Sequence, residues 1–225
     1  MSHSVLPLSR GLLLASLLAA GSAHATLLTY SDLASFGGAA TTSVVEDFEA
    51  VAPKNVALGS LSHNGITYTP YGGVPSPNIW VAGPGYNNFS TPTTTSSVLT
   101  ANGDEDFLMS FAATSAIGFD TYLNAYGPAT ITVLGVSGTL GVYTMNQNPA
   151  QIGFWGVTSD AGDITGIRWD TVLGGQINTG IDNIRMGSLN SNDPEAVPEP
   201  SALALMGLGL MLVCLAARKR LALRR

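Results

Sequence analysis

Short apolar runs separated by polar turn residues occupy most of the sequence outside its two ends. Residues suited to a buried face recur at every second position at Ile117, Phe119 and Thr121, and again at Ile131 and Val133. This is the period of a β-strand, whose side chains point alternately to its two faces. Gly, Ser, Thr and Asn are abundant between the runs, whereas the helix-favouring Glu, Lys, Gln and Arg are scarce. The pattern therefore predicts many short strands joined by turns.

The predicted strands follow one another at fairly regular spacing. They cover residues 43–48, 66–69, 79–82, 97–100, 106–110, 116–122, 129–134, 138–143, 152–157, 164–169 and 181–186. The three strands between residues 116 and 143 look like a meander, and Ser31 is the expected N-cap of one helical turn at 31–36. We therefore predict an all-β domain at residues 26–189, folded as an antiparallel β-sandwich or jelly roll.

The first 25 residues have the features of a secretory signal peptide. Arg10 supplies a positive charge, and residues 11–20 form an apolar run of about ten residues, which is too short to span a bilayer. Ala23 and Ala25 then give the small-x-small pattern that signal peptidase recognises. We expect cleavage after Ala25; the alternative, an N-terminal membrane anchor, is disfavoured by the short run.

The last part of the chain has the features of a membrane anchor. A polar linker at residues 190–196 precedes an uncharged stretch at about 201–217, which would be about 25 Å long as a helix. That length approaches the hydrocarbon thickness of a bilayer, about 30 Å. The stretch is followed by the basic residues Arg218, Lys219, Arg220, Arg224 and Arg225. Since basic ends stay in the cytoplasm, we predict a single transmembrane helix with the β-domain outside.

Residues 197–225 resemble the PEP-CTERM sorting signal, also catalogued as an ice-binding-protein C-terminal motif. The resemblance rests on Val197, Pro198, Glu199 and Pro200, followed by one apolar helix and a basic end. It implies an exosortase as partner, recognition at the Pro-Glu-Pro triplet, and possible removal of the helix. It also implies a Gram-negative bacterium that makes exopolysaccharide and biofilm, and a protein at the cell surface or in the extracellular matrix. The alternative is a plain C-terminal anchor with a chance Pro-Glu-Pro.

The second half of the β-domain has a further resemblance. Residues 116–120 (AIGFD), 154–157 (FWGV) and 181–184 (IDNI) are similar to motifs that recur in exported PEP-CTERM proteins of unassigned function. Those motifs usually lie on β-sandwich ectodomains, some of which are similar to carbohydrate-binding modules.

Composition excludes several classes of function. Outside the two ends the only basic residues are Lys54, Arg168 and Arg185, which face fourteen carboxylates and leave a net charge of −11. Such a domain would repel nucleic acid and attract divalent cations. The single cysteine, Cys214, lies in the tail, so the domain has no disulfide, thiol nucleophile or zinc-binding thiolate. His63 is its only histidine and no Gly-x-Ser-x-Gly elbow is present, which argues against a serine hydrolase.

The best candidate for chemistry is a calcium site. Residues 46–49 (EDFE) lie on the first predicted strand and Asp182 on the last, and these two strands commonly neighbour each other in a jelly roll. On an extended strand Asp47 and Glu49 share one face. We therefore predict Asp47, Glu49 and Asp182 as ligands of a structural Ca²⁺, which takes six to eight oxygens. The alternative is that these are solvated carboxylates at strand ends.

Exposed aromatic residues are candidates for contact with sugar rings. Trp80 and Tyr86 lie in a segment rich in Pro, Gly and Asn, where a binding loop would place them, or else they fold onto the core. Trp155 and Trp169 lie in apolar strands and are expected in the core. We predict a non-catalytic binding or structural module for exopolysaccharide. A glycosidase, which needs only two carboxylates, and an adhesin without a defined ligand remain alternatives.

Overall fold

The computed structural model describes residues 25–72, 78–86, 93–101, 106–123, 128–146, 151–171, 179–190 and Gly209. The predicted signal-peptide residue Ala23, the sorting motif at 197–200, the basic tail at 218–220 and, apart from Gly209, the predicted helix at 201–217 lie outside these residues. Within the described ranges, no helix combines the length and the apolar composition needed to cross a membrane.

Antiparallel strands make up most of the described chain, with a single helix near its start. The elements are β1 (Leu27–Tyr30), α1 (Leu33–Ala39), β2 (Ala40–Glu46), β3 (Ala57–Leu58), β4 (Leu61–His63), β5 (Ile66–Tyr71), β6 (Ile79–Ala82), β7 (Val98–Ala101), β8 (Asp106–Thr114), β9 (Ala116–Leu123), β10 (Ala129–Gly135), β11 (Gly138–Met145), β12 (Gly153–Ser159), β13 (Ile164–Thr171) and β14 (Thr179–Leu189).

The strands form two sheets that pack face to face, which confirms the predicted all-β sandwich. One sheet has eight strands in the order β1-β12-β9-β14-β7-β6-β3, with β2 also paired to β14. The other has six strands in the order β11-β10-β13-β8-β5-β4. The predicted meander is wrong, because β9 belongs to the eight-stranded sheet and only β10 and β11 form a hairpin.

The core between the sheets is apolar and rich in aromatic rings. Trp169, on β13, is fully buried and stacks on Phe107 of β8 with ring centroids 5.8 Å apart. Phe119 reaches Trp169 from the opposite sheet, at 6.1 Å, and also contacts the buried Trp155, at 5.7 Å. The prediction that Trp155 and Trp169 belong to the core is therefore confirmed.

The helix α1 packs on the outside of the eight-stranded sheet. Its N-cap is Asp32 rather than the predicted Ser31, because the Asp32 carboxylate accepts a hydrogen bond from the Ser35 amide at 2.7 Å. Phe36 is fully buried on a surface made by Gly118 and Gly156. A Cβ at either glycine would come within 3.0 Å of the Phe36 ring, so the sequence leaves room for this ring by omitting two side chains.

The first predicted strand ends earlier than expected. β2 stops at Glu46, Phe48 has a positive φ of 57°, and the Asp47 carboxylate accepts a hydrogen bond from the Glu49 amide at 3.1 Å. Asp47 and Glu49 therefore lie in a turn, and the expectation that they share one face of a strand is wrong. The expected pairing with the last strand is confirmed, with Glu46 opposite Ile184.

The longest strand, β14, runs the length of the sandwich and defines its two ends. Its eleven residues span roughly 35 Å. Asn190 follows it directly and is fixed at what we call the tail end: its amide donates to the Ala39 carbonyl at 2.9 Å, and its side chain donates to the Gly38 carbonyl at 2.8 Å. The other end, at the start of β14 near Thr179, is called the far end.

Tyr68 offers a test of the core. It is fully buried, and its hydroxyl has no hydrogen-bond partner in the described part of the chain. A buried hydroxyl without a partner costs free energy, so Tyr68→Phe should raise the free energy of unfolding by about 1 kcal/mol in urea denaturation. Tyr30→Phe is the matched control, because the Tyr30 hydroxyl lies 3.3 Å from the Thr158 hydroxyl and its loss should bring no gain. A loss of stability in Tyr68→Phe would contradict this account.

Candidate functional site

Asp182 is the centre of a buried polar cluster on the outer side of the eight-stranded sheet. Its side chain is 0% exposed, and its oxygens accept hydrogen bonds from the Ser96 hydroxyl at 2.6 Å and the Asn183 amide at 2.6 Å. Asn183 has a positive φ of 49° at a register irregularity in β14, which turns its side chain toward the neighbouring strand. The irregularity thus brings the Asn183 amide to the outer side of the sheet beside Asp182, which regular alternation along β14 would not do.

Asp120 of β9 lies directly opposite Asp182 and completes the cluster. The Asn183 side-chain amide donates to Asp120 at 2.8 Å and to Asp182 at 3.2 Å, so one NH₂ group joins the two carboxylates. The Arg185 guanidinium donates to Asp120 at 3.1 Å and to the Asn183 carbonyl at 2.7 Å. Only Asp120 thus has a cation as a hydrogen-bond partner in this group.

This environment changes the titration of two groups. Burial raises the pKa of Asp182 to about 6, and the negative charges of Asp120 and Glu49 act in the same direction against the hydrogen bonds from Ser96 and Asn183. Burial also raises the pKa of Tyr122 to about 12, with a further contribution from Asp182. The fold thus holds a carboxyl group at a position that favours its neutral form.

Two of the three predicted calcium ligands, Glu49 and Asp182, accept hydrogen bonds from two adjacent serines, Ser97 and Ser96. Glu49 accepts hydrogen bonds from the Ser97 amide at 2.7 Å and from Lys54 at 3.0 Å, while Asp182 is held by Ser96. The backbone hydrogen bond from Ser97 and the Lys54 ammonium lower the pKa of Glu49. The described residues include no group of three or more His, Cys, Asp or Glu side chains arranged to hold a metal ion. Calcium binding at Asp47, Glu49 and Asp182 stays a prediction.

Neither cluster is arranged for catalysis on a bound substrate. Lys54 and Ser97 are hydrogen-bonded as in a Ser-Lys pair, but Ser97 is 0% exposed and Lys54 forms an ion pair with Glu49. The side-chain amide of Asn183 lies between Asp120 and Asp182, where a glycosidase would need its substrate. Asp182, like Ser97, is 0% exposed. His63 contacts the buried carboxylate of Glu46 at 2.5 Å, which ties β4 to the end of β2.

The aromatic residues predicted to contact sugar are partly covered. Trp80 lies on β6, which matches the strand predicted at 79–82, and its indole N–H is buried without a partner in the described ranges. Tyr86 packs against Ala82, Val98 and Tyr122 on the outside of the same sheet. A role for Trp80 and Tyr86 in carbohydrate binding stays a prediction.

A cleft of about 470 Å³ opens between the edges of the two sheets, near β1, β11 and β12. Its walls hold four aromatic rings and several hydroxyl and amide groups, and none of the described side chains that line it is charged. The lining residues are Thr29, Tyr30, Ser31, Thr121, Tyr143, Thr144, Met145, Asn146, Gly153, Phe154 and Trp155. We call this the aromatic cleft.

The rings of the cleft are held in place by the core and by α1. Tyr143 of β11 packs on Trp155 of the other sheet with centroids 6.0 Å apart, and burial raises the pKa of its hydroxyl. Phe154 packs on Phe36 at 5.4 Å, and Phe36 in turn contacts Tyr30 at 5.7 Å. These contacts restrict the rings, which lowers the entropic cost of ordering them when a ligand binds.

Sequence reasoning did not single out Tyr30, Tyr143 or Phe154. Tyr143 is the last residue of a predicted strand and Phe154 lies within one, and neither position indicates a ligand. The cleft combines residues more than 100 positions apart, and no local pattern indicates that they meet. The one available signal was the position of Tyr143 beside the polar segment at 146–148 (NQN).

The raised pKa of Asp182 makes stability depend on pH. Because the folded-state pKa of about 6 exceeds the reference value of 3.8, the native state binds the proton more tightly than the unfolded state. The contribution of Asp182 is therefore most favourable below about pH 4 and is lost as the pH rises through 6, by about 3 kcal/mol in all, of which about 2 kcal/mol falls between pH 4 and pH 7.5.

Asp182→Asn should remove this dependence, since the amide does not titrate. Urea denaturation at pH 4 and pH 7.5 should show the variant gaining about 2 kcal/mol relative to the parent chain at the higher pH. Asp47→Asn, in the exposed turn after β2, is the control and should keep the parental pH dependence. An identical pH dependence in the parent chain and Asp182→Asn would refute the assignment.

Comparisons with solved structures give distant similarities. A family 29 carbohydrate binding module complexed with cellulohexaose is 16% identical over 67% of this chain and 94% of its own, with a TM-score of 0.36. A mannohexaose complex of the same module has the same identity and TM-score over 66% of this chain. The enzymatically active domain of tailspike protein 4 of bacteriophage CBA120 is 14% identical over 56% of this chain and 19% of its own, with a TM-score of 0.33. TM-scores this low do not indicate a shared ligand or activity.

A search of the curated proteins finds no match. The family model of the PEP-CTERM protein-sorting motif matches residues 196–220 and confirms the resemblance seen in the sequence. The chain therefore carries, at its C-terminal end, the PEP-CTERM protein-sorting motif of exported, surface-sorted proteins.

Proposed function

We propose that this chain is a surface protein that an exosortase processes at its C-terminal motif and whose β-sandwich binds polysaccharide without cleaving it. The sorting motif supports the first part of the proposal. The aromatic cleft is the observation that supports the second part.

The chemistry of the cleft matches that of a neutral sugar. A sugar ring has apolar C–H faces and a rim of hydroxyl groups, so it needs flat apolar surfaces together with uncharged donors and acceptors. Tyr143, Phe154 and Tyr30 provide such surfaces, and the side chains of Thr144 and Asn146 provide hydrogen-bonding groups. Sites for small ligands commonly combine aromatic walls with a few polar groups in this way.

The position of the cleft suits a protein held by its C-terminal tail. Thr121, which lines the cleft, lies opposite Ile181 near the start of β14, and Gly153 lies opposite Thr121. The tail leaves from Asn190, after the end of β14. The cleft is thus at the far end, where a surface-attached domain can reach a polysaccharide.

The tail anchors the protein before processing. In this proposal residues 1–25 direct export and are removed by signal peptidase, and residues 201–217 cross the membrane with the basic residues 218–220 in the cytoplasm. The exosortase then acts at the motif formed by Val197, Pro198, Glu199 and Pro200. The destination is the cell envelope, or the exopolysaccharide matrix of a biofilm.

Glycosidase activity is the less favoured alternative at this site. Hydrolysis of a glycosidic bond needs a pair of carboxyl groups beside the bond, and no Asp or Glu is among the described residues that line the aromatic cleft. An adhesin without a defined ligand is the other alternative, and it predicts that the cleft has no affinity for any glycan.

Binding can be measured with the full-length chain in detergent against a glycan array and, for soluble polysaccharides, by affinity gel electrophoresis. The parent chain should bind at least one uncharged polysaccharide. Tyr143→Ala should weaken binding about tenfold, because central aromatic residues supply much of the free energy of binding. Asn146→Ala should weaken binding by a smaller factor, because Asn146 is an exposed residue at the cleft.

Val142→Ala is the matched control, because Val142 precedes Tyr143 on β11 and is 61% exposed on the opposite face of that strand. It should bind like the parent chain. Thermal melting of each variant shows whether a loss of binding reflects unfolding. No binding to any glycan by the folded parent chain would favour the adhesin, and release of reducing sugar would favour the glycosidase.

A further inference from the structure

We propose that the outer face of the six-stranded sheet carries a second contact surface for the same polysaccharide, formed by Tyr71, Arg168 and Asp170. We call it the Tyr71 platform. The inference rests on the proposed function and extends it, because it makes the ligand an uncharged chain long enough to cross the sheet from this platform to the aromatic cleft.

Tyr71 is an aromatic ring held at the surface. It is the last residue of β5 and is 47% exposed. No other aromatic side chain in the described part of the chain is as exposed. The Arg168 guanidinium lies over the ring at 5.1 Å from its centroid. A cation–π contact of this kind restricts the ring without covering it fully, so a flat apolar surface remains for a ligand.

Arg168 supplies donors that the described part of the chain does not use. Its Nε donates to the Asp170 carboxylate at 2.8 Å, which sets the orientation of the guanidinium and raises the pKa of Arg168. Within the described ranges its hydrogen bonds involve Nε alone, and about a third of its side chain is exposed. The two terminal nitrogens are therefore available to hydroxyl groups of a ligand, and Asp170 offers an acceptor beside them.

A row of residues in register connects the platform to the cleft. Tyr71 pairs with Asp106, Asp170 pairs with Thr130, and Thr130 pairs with Thr144. The pairing of Trp169 with Phe107 places the next residues of the two strands, Asp170 and Asp106, side by side. All five residues of the row lie on the outer face, and Thr144 also lines the aromatic cleft. Four steps between neighbouring strands correspond to about 19 Å, so a ligand that contacts both sites must be an extended chain.

The charges of the row select against acidic polysaccharides. Asp106 and Asp170 flank Arg168. Asp106 is the most buried member of the row, and its carboxylate accepts a hydrogen bond from the Thr171 amide at 2.8 Å. The single guanidinium is thus outnumbered by carboxylates, and residues 26–196 hold three basic residues and fourteen acidic ones. An uncharged chain avoids this repulsion and still finds a stacking ring, donors and acceptors.

The test compares a polymer with a short ligand, using the full-length chain in detergent. The probes are mixed-linkage β-glucan and galactomannan as uncharged polymers, alginate as an acidic one, and the disaccharides cellobiose and mannobiose. Tyr71→Ala and Arg168→Gln should each weaken binding to the uncharged polymer about tenfold and leave disaccharide binding in the cleft unchanged. Alginate should not bind the parent chain.

Tyr71→Phe is the matched control, because it keeps the ring and should retain polymer affinity. Tyr71→Ala should melt at nearly the parental temperature, since the side chain is exposed. If the parent chain and Tyr143→Ala differ in polymer binding but Tyr71→Ala and Arg168→Gln bind like the parent, the platform is refuted while the proposed function stands. If the parent chain binds no glycan, the proposed function itself fails.

Discussion

The contact between the inner faces of the two sheets, centred on Trp169, is the interaction on which the rest of the molecule depends. Phe107 stacks on this indole within the six-stranded sheet, and Phe119 reaches it from the other sheet. The domain has no disulfide, so burial of these apolar faces must offset the conformational entropy lost on folding. Tyr143 and Trp155 extend the same contact to the sheet edges, where the core ends and the aromatic cleft begins.

Much of the fold was predictable because the alternation of side chains is a local property. The strand containing Ile117 and Phe119 and the burial of Trp169 follow from patterns within a few residues. The pairing of the first predicted strand with the last follows from the jelly-roll arrangement that those strands favour. The assignment of strands to sheets was not predictable, since β9 and β10 are consecutive and similar yet lie in different sheets. Alternation indicates which side chains are buried but not which sheet covers them.

The sites were less predictable, because they depend on backbone details and distant contacts. The early end of β2 moved Asp47 and Glu49 from a strand face to a turn, and the positive φ of Asn183 created the bridge between Asp120 and Asp182. Hydrophobic periodicity carries no information about either feature. The cleft joins β1, β9, β11 and β12, and its residues are ordinary strand residues when each is taken alone.

The course of β14 has a mechanical consequence. In the proposed function, a domain attached through Asn190 and bound to a polysaccharide at its far end would be pulled along this strand. β9 on one side, and β7 and β2 on the other, run antiparallel to β14, and their hydrogen bonds lie perpendicular to the direction of pull. Such bonds are loaded in shear and must break together, whereas bonds peeled from one end break singly. In the proposed function, the strand that separates the tail from the cleft would therefore also be the tension-bearing element between them.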